Sequence, residues 1–431
     1  MNIWLITVGE PLPTDGENQR LYRTGILAEL LERKGHRVIW WTSSVNHVTK
    51  KQRCLTDKSL AINPNFQIKI IRSINYKINV SLARMINHYH LAKKFHRLAL
   101  SEEKPDIIVC SLPTLFLSME AVKYGKGKSV PVVLDIRDLW PDIFIELVPE
   151  WGRGLVRVAL TPVYKITDFS CENTYAIIGI TPAYVKWGEN HGQRQHSILN
   201  KDFPLGYSDK EPSEDALIEA MDFWREYEIA EENGEFIVCF FGTMGRQFDL
   251  ETVINAAKLI YPVNHNIKFI LCGSGDNLEH YKRLARNCSN IVFPGWVHAH
   301  HIWVLMRLAS VGIAPYRNVD NFIKNLPNKP IEYISAGLPI ISGLSGELQT
   351  LLETNHCGVI YDEGDSEQLA KILMGLYEEP EILKTMSANA LSLYKERFVA
   401  EKVYSDMIEH LELICSEYNK GGESSCQIIS Q

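Results

Sequence analysis

Short apolar runs that end at a glycine, each followed by a helical pattern, recur along the chain and constrain its fold most. Residues 2–8 form the first such run, which ends at Gly9. A polar loop follows, and leucines at helical spacing then lead to Gly35, a residue type suited to end a helix. Because buried parallel strands appear as continuous apolar runs joined by helices, this alternation predicts an α/β fold with a doubly wound parallel sheet.

The same rhythm begins again in the second half. The apolar run 236–241 ends at Gly242 and the run 268–272 ends at Gly273, whereas residues 203–234 are polar and acidic. A chain of 431 residues is also too long for one ordinary hydrophobic core. We therefore predict two α/β domains. Their predicted bounds are 1–204 and 205–395, followed by a helix over 396–418 and a flexible tail over 419–431.

The composition is that of an ordinary globular protein, with 45% hydrophobic and 23% charged residues. No segment approaches the roughly 18 uncharged apolar residues that a membrane-spanning helix needs. Residues 1–9 lack the basic region and cleavage site of a signal peptide, so we expect a buried strand there. The nine cysteines are scattered without a C-x-x-C pair, which argues against zinc and disulfide frameworks and favours a cytoplasmic location.

Charge is distributed unevenly between the two halves. Residues 1–204 carry 27 Lys and Arg against 19 Asp and Glu, a net charge of +8, whereas the remainder carries 18 against 33, or −15. A basic half on an acidic protein suggests an anionic partner, and the lack of a recognisable nucleic-acid module favours phospholipid or a lipid phosphate. A difference between two solvated surfaces is the alternative interpretation.

Two stretches of the basic half combine apolar and basic residues. One covers 82–99 and the other covers 151–160. Such segments can rest on an anionic membrane surface, which would place the protein on the inner face of the cytoplasmic membrane. The alternative is that both stretches are helices packed in the N-terminal core.

Two glycine loops in the second half follow strands and precede helices. Their sequences are Gly242-Thr-Met-Gly245-Arg246 and Gly273-Ser-Gly275. Glycine at such a position lets backbone N–H groups approach phosphate oxygens, and the following helix N-terminus favours negative charge. Neither loop matches the dinucleotide-binding or Walker pattern, which argues against NAD and ATP sites. Each loop alone is also compatible with a simple tight turn.

A third segment, residues 326–339, is first polar, then helical, and then enters an apolar strand through Gly-x-Pro. Glu332 lies in the expected first turn of this helix, where its carboxylate can accept hydrogen bonds from a ribose diol. Lys329 lies beside it and can neutralise a diphosphate. A capped helix with a surface glutamate is the alternative.

At these positions the sequence resembles the retaining glycosyltransferases of family 4, and in particular the branch that acts on O-antigen, capsule and exopolysaccharide chains. Blocks in both halves carry the resemblance, in order along the chain: 34–38, 134–141, 178–182, 240–245, 271–275, 292–297, 327–337, 346–347 and 357–362. The family has the GT-B fold. The resemblance implies two Rossmann-like domains facing across a cleft, with a C-terminal helix crossing back to the N-terminal domain.

The resemblance also implies roles for individual residues. The domain 1–204 would face the acceptor and the domain 205–395 would bind the sugar nucleotide. Glu332 would bind the donor ribose, and Gly16 would let the chain pass close to the donor phosphate. The remaining donor-binding residues implied are Gly242, Thr243, Gly273, Ser274 and Gly275 along the nucleotide, with Trp296 and Val297 at the base.

This sequence departs from the family pattern where the donor phosphates are expected. The first glutamate of the usual E-x-seven-E pair falls on Lys324, and the usual Arg and Lys of the glycine loop fall on Thr243 and Phe248. We therefore hypothesise that Arg246 and Lys329 hold the diphosphate, with Lys324 as a further candidate.

For the reaction itself, fixed cations and N–H dipoles would stabilise the leaving diphosphate. No Asp-x-Asp triplet is present, and the nearest pair, Asp135 and Asp138, is separated by two residues. No metal or other cofactor is therefore expected. Asp138 is the candidate for orienting the acceptor hydroxyl, with Arg137 nearby in place of a common histidine. A helix N-cap or a buried ion pair is the alternative role for Asp138.

The sequence thus predicts a glycosyltransferase that takes a nucleotide-sugar donor, with UDP as the expected nucleotide, and a saccharide acceptor. A polyprenyl-diphosphate-linked glycan of surface polysaccharide biosynthesis suits the basic half. Two alternatives stay open. One is a nucleotide-sugar epimerase of the same fold, and the other is a degenerate subunit that binds nucleotide without catalysis.

Overall fold

In the computed structural model, the residues described are 1–16, 19–47, 49–76, 81–146, 148–230 and 234–429, without the side chains of Leu82 and of residues 422–429. The chain divides into two compact units. The first comprises Met1–Pro204 and Ala400–Gln431, and the second comprises Leu205–Val399. Among the described helices, none is long and apolar enough to cross a membrane.

The first unit is a twisted sheet with helices packed on it. Its strands are β1 (Asn2–Ile6), β2 (Arg37–Ser43), β3 (Lys58–Asn63), β4 (Phe66–Ile71), β5 (Ile107–Leu112), β6 (Val132–Ile136), β7 (Ala176–Gly179) and β8 (Lys201–Asp202). Its helices are α1 (Arg23–Arg33), α2 (Leu82–Ala99), α3 (Leu115–Lys128), α4 (Ile143–Glu146), α5 (Glu150–Ala159), α6 (Thr161–Asn173) and α7 (Pro182–His191). The strand order is β3-β4-β2-β1-β5-β6-β7-β8, and β1 pairs in parallel with β2 and β5 on its two sides.

The strand β3 is a departure from the predicted parallel sheet. It pairs antiparallel to β4 at the edge of the sheet, and its residues are exposed or half-buried. An edge strand with a solvated face lacks the continuous apolar run that marks a buried parallel strand. The sequence pattern therefore identified β4 but missed β3.

A long C-terminal helix, α17 (Ala400–Ile429), belongs to the first unit. Tyr404, Met407 and Leu411 are buried in the same hydrophobic cluster as the α1 residues Leu27 and Leu31. The helix predicted over 396–418 therefore packs on the N-terminal unit. Helical backbone continues to Ile429, whereas the sequence predicts a flexible tail over 419–431.

The second unit is also a sheet covered by helices. Its strands are β9 (Phe236–Phe241), β10 (Ile267–Cys272), β11 (Ile291–Gly295), β12 (Val311–Ala314), β13 (Ile340–Ser342) and β14 (Gly358–Ile360). Its helices are α8 (Glu214–Glu226), α9 (Leu250–Ile260), α10 (Leu278–Leu284), α11 (Ala299–Leu308), α12 (Asp320–Ile323), α13 (Asn328–Ser335), α14 (Glu347–Thr354), α15 (Ser366–Glu378) and α16 (Pro380–Arg397). The strands run parallel in the order β11-β10-β9-β12-β13-β14.

The register of this second sheet places the two glycine loops side by side. Strands β9 and β10 are neighbours, and Phe241 pairs with Cys272 at their carboxyl ends. Gly242 directly follows the last residue of β9, and Gly273 directly follows the last residue of β10. The two glycines therefore leave the sheet side by side. In open parallel sheets this edge is where ligands bind.

Candidate active site

The two glycine loops of the second unit approach each other so closely that side chains would not fit between them. The Gly242 N–H donates to the Cys272 carbonyl at 3.0 Å, and a Cβ on Gly273 would collide with the Gly242 carbonyl oxygen. A Cβ on Gly275 would lie 2.7 Å from the Met244 carbonyl oxygen. Glycine is thus required by backbone packing at these positions, which is a role that holds with or without a phosphate.

Lys329 of α13 extends to the first of these glycines. A Cβ built on Gly242 would lie 2.9 Å from the Lys329 Nζ, so the ammonium group lies at the carboxyl end of β9. Its Nζ is 4.8 Å from the centre of the Phe248 ring, within range of a cation–π contact. Phe248, which precedes α9, thus contacts a lysine that belongs to α13.

Glu332 lies in the second turn of α13 rather than in the first. The helix begins at Asn328, so Glu332 is its fifth residue. Glu332 is 7% exposed. Burial, assisted by the nearby Glu332 charge, raises the pKa of the Tyr316 hydroxyl well above its usual range, so this tyrosine stays neutral and can donate a hydrogen bond.

The side chains of Thr243 and Arg246 are exposed on the first glycine loop. The Thr243 hydroxyl accepts a hydrogen bond from the Gln247 amide at 2.6 Å. The Arg246 carbonyl accepts one from the Arg317 Nε at 3.2 Å. Arg317 also lies 3.4 Å from a Glu363 oxygen, so it braces the loop from outside. No sequence pattern identifies Arg317, because its partners Arg246 and Glu363 lie far away along the chain.

The segment after β11 is joined to the second glycine loop. The Gly273 N–H donates to the Gly295 carbonyl at 2.6 Å. Trp296 is 66% exposed and Val297 is buried, so the ring is open to solvent while the backbone is fixed beside the loop. Ser274, in the loop itself, accepts a hydrogen bond at its carbonyl from the Met244 N–H at 2.8 Å.

Lys324 has a different environment from Lys329. It forms an ion pair with Asp320 at 3.0 Å, one turn earlier on α12, and both side chains are substantially exposed. A pair of this kind contributes little to stability. Lys324 would have to leave this pair in order to bind a ligand.

In the first unit, Asp138 follows β6 in a setting that disfavours its charge. Burial raises the pKa of its carboxyl group to about 6, although Arg84 and Arg137 oppose the shift. The Arg84 guanidinium lies 4.6 Å from the centre of the Trp140 ring. The Asp138 carboxyl group therefore gives up its proton less readily than that of an ordinary aspartate.

Arg137 is held in a buried network of ion pairs. It donates to Asp135 at 2.8 Å, to the Glu10 carboxylate, and to the Thr24 hydroxyl at 3.0 Å. Arg23 binds the same Asp135 carboxylate with two hydrogen bonds of 2.9 and 3.0 Å. The flanking arginines hold the pKa of Asp135 below its usual range. Arg137 therefore fixes the loop beside Asp138, and its donors are already engaged.

Gly16 lies in the exposed loop after β1. A Cβ added there would meet nothing within 4 Å, so no contact within the chain requires glycine. The preceding residue anchors the loop, because Asp15 pairs with Arg53 at 2.6 Å and accepts a hydrogen bond from the Leu12 N–H at 2.9 Å.

Part of the chain matches a known protein family. Residues 222–393, within the second unit, match the family model described as glycosyl transferases group 1. The alpha-monoglucosyldiacylglycerol synthase of Acholeplasma laidlawii is 24% identical over 192 residues, which cover 42% of this chain and 44% of that enzyme. The aligned region thus spans less than half the length of the curated relative.

Solved structures are similar over nearly the whole chain. Sucrose-phosphate synthase from Thermosynechococcus elongatus superposes with a TM-score of 0.71 at 15% identity, covering 96% of this chain and 99% of that one. Anabaena HepE in complex with UDP gives 0.64 at 16%, covering 96% and 100%. WaaG, a glycosyltransferase involved in lipopolysaccharide biosynthesis, gives 0.60 at 15%, covering 93% and 98%. These similarities establish the GT-B fold, as predicted from the sequence.

Proposed function

We propose that this chain transfers a sugar from a nucleoside-diphosphate sugar to a hydroxyl group of a saccharide acceptor. The group 1 glycosyltransferase match covers the unit that holds both glycine loops, which supports the assignment of the donor to that unit. A UDP-sugar is the proposed donor, because structures of the HepE relative are described with UDP and with UDP-glucose.

The observation that carries this proposal is the position of the Lys329 ammonium group beside Gly242. A lysine at the carboxyl edge of a parallel sheet, next to loops rich in glycine, suits a diphosphate. Arg246 offers a second, exposed cation on the same loop. Glu332, buried in α13, is the proposed acceptor of hydrogen bonds from the ribose.

We propose a retaining transfer that needs no metal. The bond between the anomeric carbon and the diphosphate oxygen breaks, and the acceptor oxygen forms the new bond from the same face. Lys329, Arg246 and the loop N–H groups stabilise the charge that develops on the leaving diphosphate. The departing phosphate oxygen takes the proton of the acceptor hydroxyl, and Asp138 orients that hydroxyl.

A lipid-linked acceptor at a membrane is the proposed second substrate. Helix α5 carries Trp151, Leu155 and Val158 on one face, with exposures of 84, 73 and 71%. Arg157 on the same helix suits anionic headgroups, whereas Arg153 lies 3.7 Å from the Glu150 carboxylate one turn earlier. The name of the curated relative, a glucosyldiacylglycerol synthase, describes a lipid-linked product and supports this choice of acceptor.

The other basic stretch, α2, is less suited to a membrane. Lys93 pairs with Glu120 at 2.9 Å and Lys94 pairs with Asp57 at 2.6 Å, so the cations expected to meet lipid are engaged within the unit. Ala92 is buried. The core interpretation therefore fits α2, and α5 is the proposed membrane contact.

Product analysis with UDP-, GDP- and ADP-sugars, with and without a lipid-linked glycan acceptor, tests this function. We expect transfer with retention at the anomeric carbon, only when acceptor is present, and at an undiminished rate in a chelator. Isomerisation of the donor without acceptor would instead identify an epimerase. Donor binding without transfer to any acceptor of a broad panel would identify a non-catalytic subunit.

A further inference from the structure

Three potential metal ligands converge between helices α8 and α11 of the second unit. The His300 Nε2 lies 2.6 Å from one Glu219 carboxylate oxygen, and the His301 Nε2 lies 3.2 Å from the other. The three ligand atoms lie within 4.8 Å of one another. In tetrahedral coordination of zinc by nitrogen and oxygen, neighbouring ligand atoms are about 3.4 Å apart. Small side-chain rotations would therefore bring these three atoms to the separations that a zinc ion requires.

The surrounding packing fixes one of these ligands, His301, before any ion arrives. The Trp224 indole N–H of α8 donates to the His301 carbonyl oxygen at 2.9 Å. The Phe223 ring lies 4.3 Å from the His301 ring, and Trp224 is fully buried. The two helices that supply the ligands are thus locked together, and such preorganisation lowers the entropy lost on binding.

The approach to this cluster is negatively charged. Asp215, Asp222 and Glu226 line a surface groove together with Glu219. Their spacing puts them on one face of α8. A groove lined by one sign of charge concentrates counter-ions, and the exposure of the Glu219 and His300 side chains, 57 and 28%, leaves the ligands open to solvent.

We propose that Glu219, His300 and His301 bind a divalent transition-metal ion of the zinc class, with water in the remaining position. Two imidazoles and one carboxylate suit Zn²⁺, Co²⁺ or Ni²⁺, whereas Mg²⁺ and Ca²⁺ prefer sets of oxygen ligands. This inference does not rest on the proposed transfer reaction, in which no step uses a metal. The ion would join α8 to α11.

Metal binding has a structural consequence at the start of α11. His301 Nδ1 accepts a hydrogen bond from the His298 N–H at 3.2 Å. When Nε2 binds the metal, a neutral imidazole carries its proton on Nδ1, so this hydrogen bond must break. His298 follows Val297 directly, so the ion alters the chain next to the segment proposed to meet the donor base.

Metal titration of the full chain after chelator treatment tests the site. We expect one Zn²⁺ per chain, a melting temperature that rises with Zn²⁺ concentration, and visible absorption of tetrahedral Co²⁺ when cobalt is added. H300A and E219Q should each lower Zn²⁺ affinity about tenfold or more. Both side chains are partly exposed, and circular dichroism verifies that each variant folds.

H280A is the matched control, because His280 forms a comparable exposed pair with Glu251 at 3.0 Å and has no second histidine in that pair. Its Zn²⁺ affinity should equal that of the wild type. The proposal is overturned if the wild-type chain binds no Zn²⁺ or Co²⁺, or if folded H300A and E219Q bind as tightly as H280A. The second result would mean that the ion binds elsewhere on the chain.

Discussion

Asp138 shows how a single residue can be identified from sequence while its chemistry depends on the fold. The sequence places it after an apolar strand, next to Arg137. The structure adds burial and Arg84, which comes from a distant helix and lies over Trp140. Burial raises the pKa of Asp138 while Arg84 opposes the shift, and no local pattern encodes either effect.

We predict that Asp138→Asn lowers turnover by about 100-fold or more without weakening donor binding, and at the same time stabilises the fold. The folded-state pKa of about 6 exceeds the ordinary value, so ionisation destabilises the folded state as pH rises from about 4 to above 6. The cost at neutral pH is about 3 kcal/mol. Steady-state kinetics and urea unfolding at pH 7.5 and pH 4 measure both effects.

The stabilisation by Asp138→Asn should shrink at pH 4, where the wild-type carboxyl is protonated. Asp142→Asn is the control of opposite sign. Hydrogen bonds from His191, Trp187 and Tyr164 hold the pKa of Asp142 at about 2, so this substitution should destabilise the protein at pH 7.5. Unchanged turnover, or destabilisation at pH 7.5, in Asp138→Asn would mean that the carboxylate has a structural role.

The other site residues fall into two groups, those recognisable from neighbouring sequence and those whose contacts form only in the folded protein. The glycine loops and α13 follow from short patterns, and the sequence identified them. The engagement of Arg137 depends on Glu10, Thr24 and Asp135, which are brought together only by the sheet. These contacts make Arg137 a residue that positions the loop beside Asp138, whereas the direct catalytic role expected from the sequence stays an untested prediction.

At the scale of elements, buried strands were the most predictable features. Strand β9 has the bounds that its apolar run predicts, because both of its faces are covered. The edge strand β3 was missed for the opposite reason. Helix α2 shows a further limit of prediction from sequence. Its lysines Lys93 and Lys94 are paired with Glu120 and Asp57, which lie far from them along the chain.

Helix α5 provides the prediction for membrane contact. Leu155→Glu puts a charge in the centre of the exposed apolar face and should lower binding to anionic vesicles about tenfold or more, since burying one such side chain contributes about 1.5–3 kcal/mol. Val263→Glu is the matched control, because Val263 is 74% exposed and lies in the other unit. Flotation with anionic and neutral vesicles measures the difference.

If the wild-type chain floats with neither kind of vesicle, the proposal of a membrane contact is wrong. If Leu155→Glu and Val263→Glu bind equally, α5 is not the surface involved. Either result would leave the proposed donor site unaffected, because that site lies in the second unit.

At the scale of the whole molecule, α17 lowers the positive net charge of the first unit. Adding residues 400–431 to the first unit reduces its net charge from +8 to +4, and the second unit carries −11. Part of the positive charge is met within the unit, where Glu401 lies 3.4 Å from Arg33 and Glu409 lies 3.8 Å from Lys34. The exposed face of α5 is therefore a stronger indication of an anionic partner than the net charge of the first unit.

The division into two α/β units was predictable because its signal is repeated along the chain, whereas the GT-B fold was implied by the family resemblance. Strand, glycine and helix recur in both halves, and the polar stretch between them marks the boundary. The return of α17 to the first unit was implied by family resemblance rather than by its own pattern, since an amphipathic helix does not specify which surface covers it. The sugar and the acceptor depend on a few side chains that neither pattern nor fold determines.

Calorimetric titration of the full chain with UDP tests the central claim, a donor site in the second unit built on Lys329 and the glycine loops. We predict that Lys329→Ala and Arg246→Ala each weaken UDP binding about tenfold or more, because hydrogen bonds to charged groups contribute about 1.5–3 kcal/mol. Lys282→Ala, at an exposed lysine paired with Glu279, should bind as the wild type does. UDP affinity that is the same in all four proteins would contradict the account.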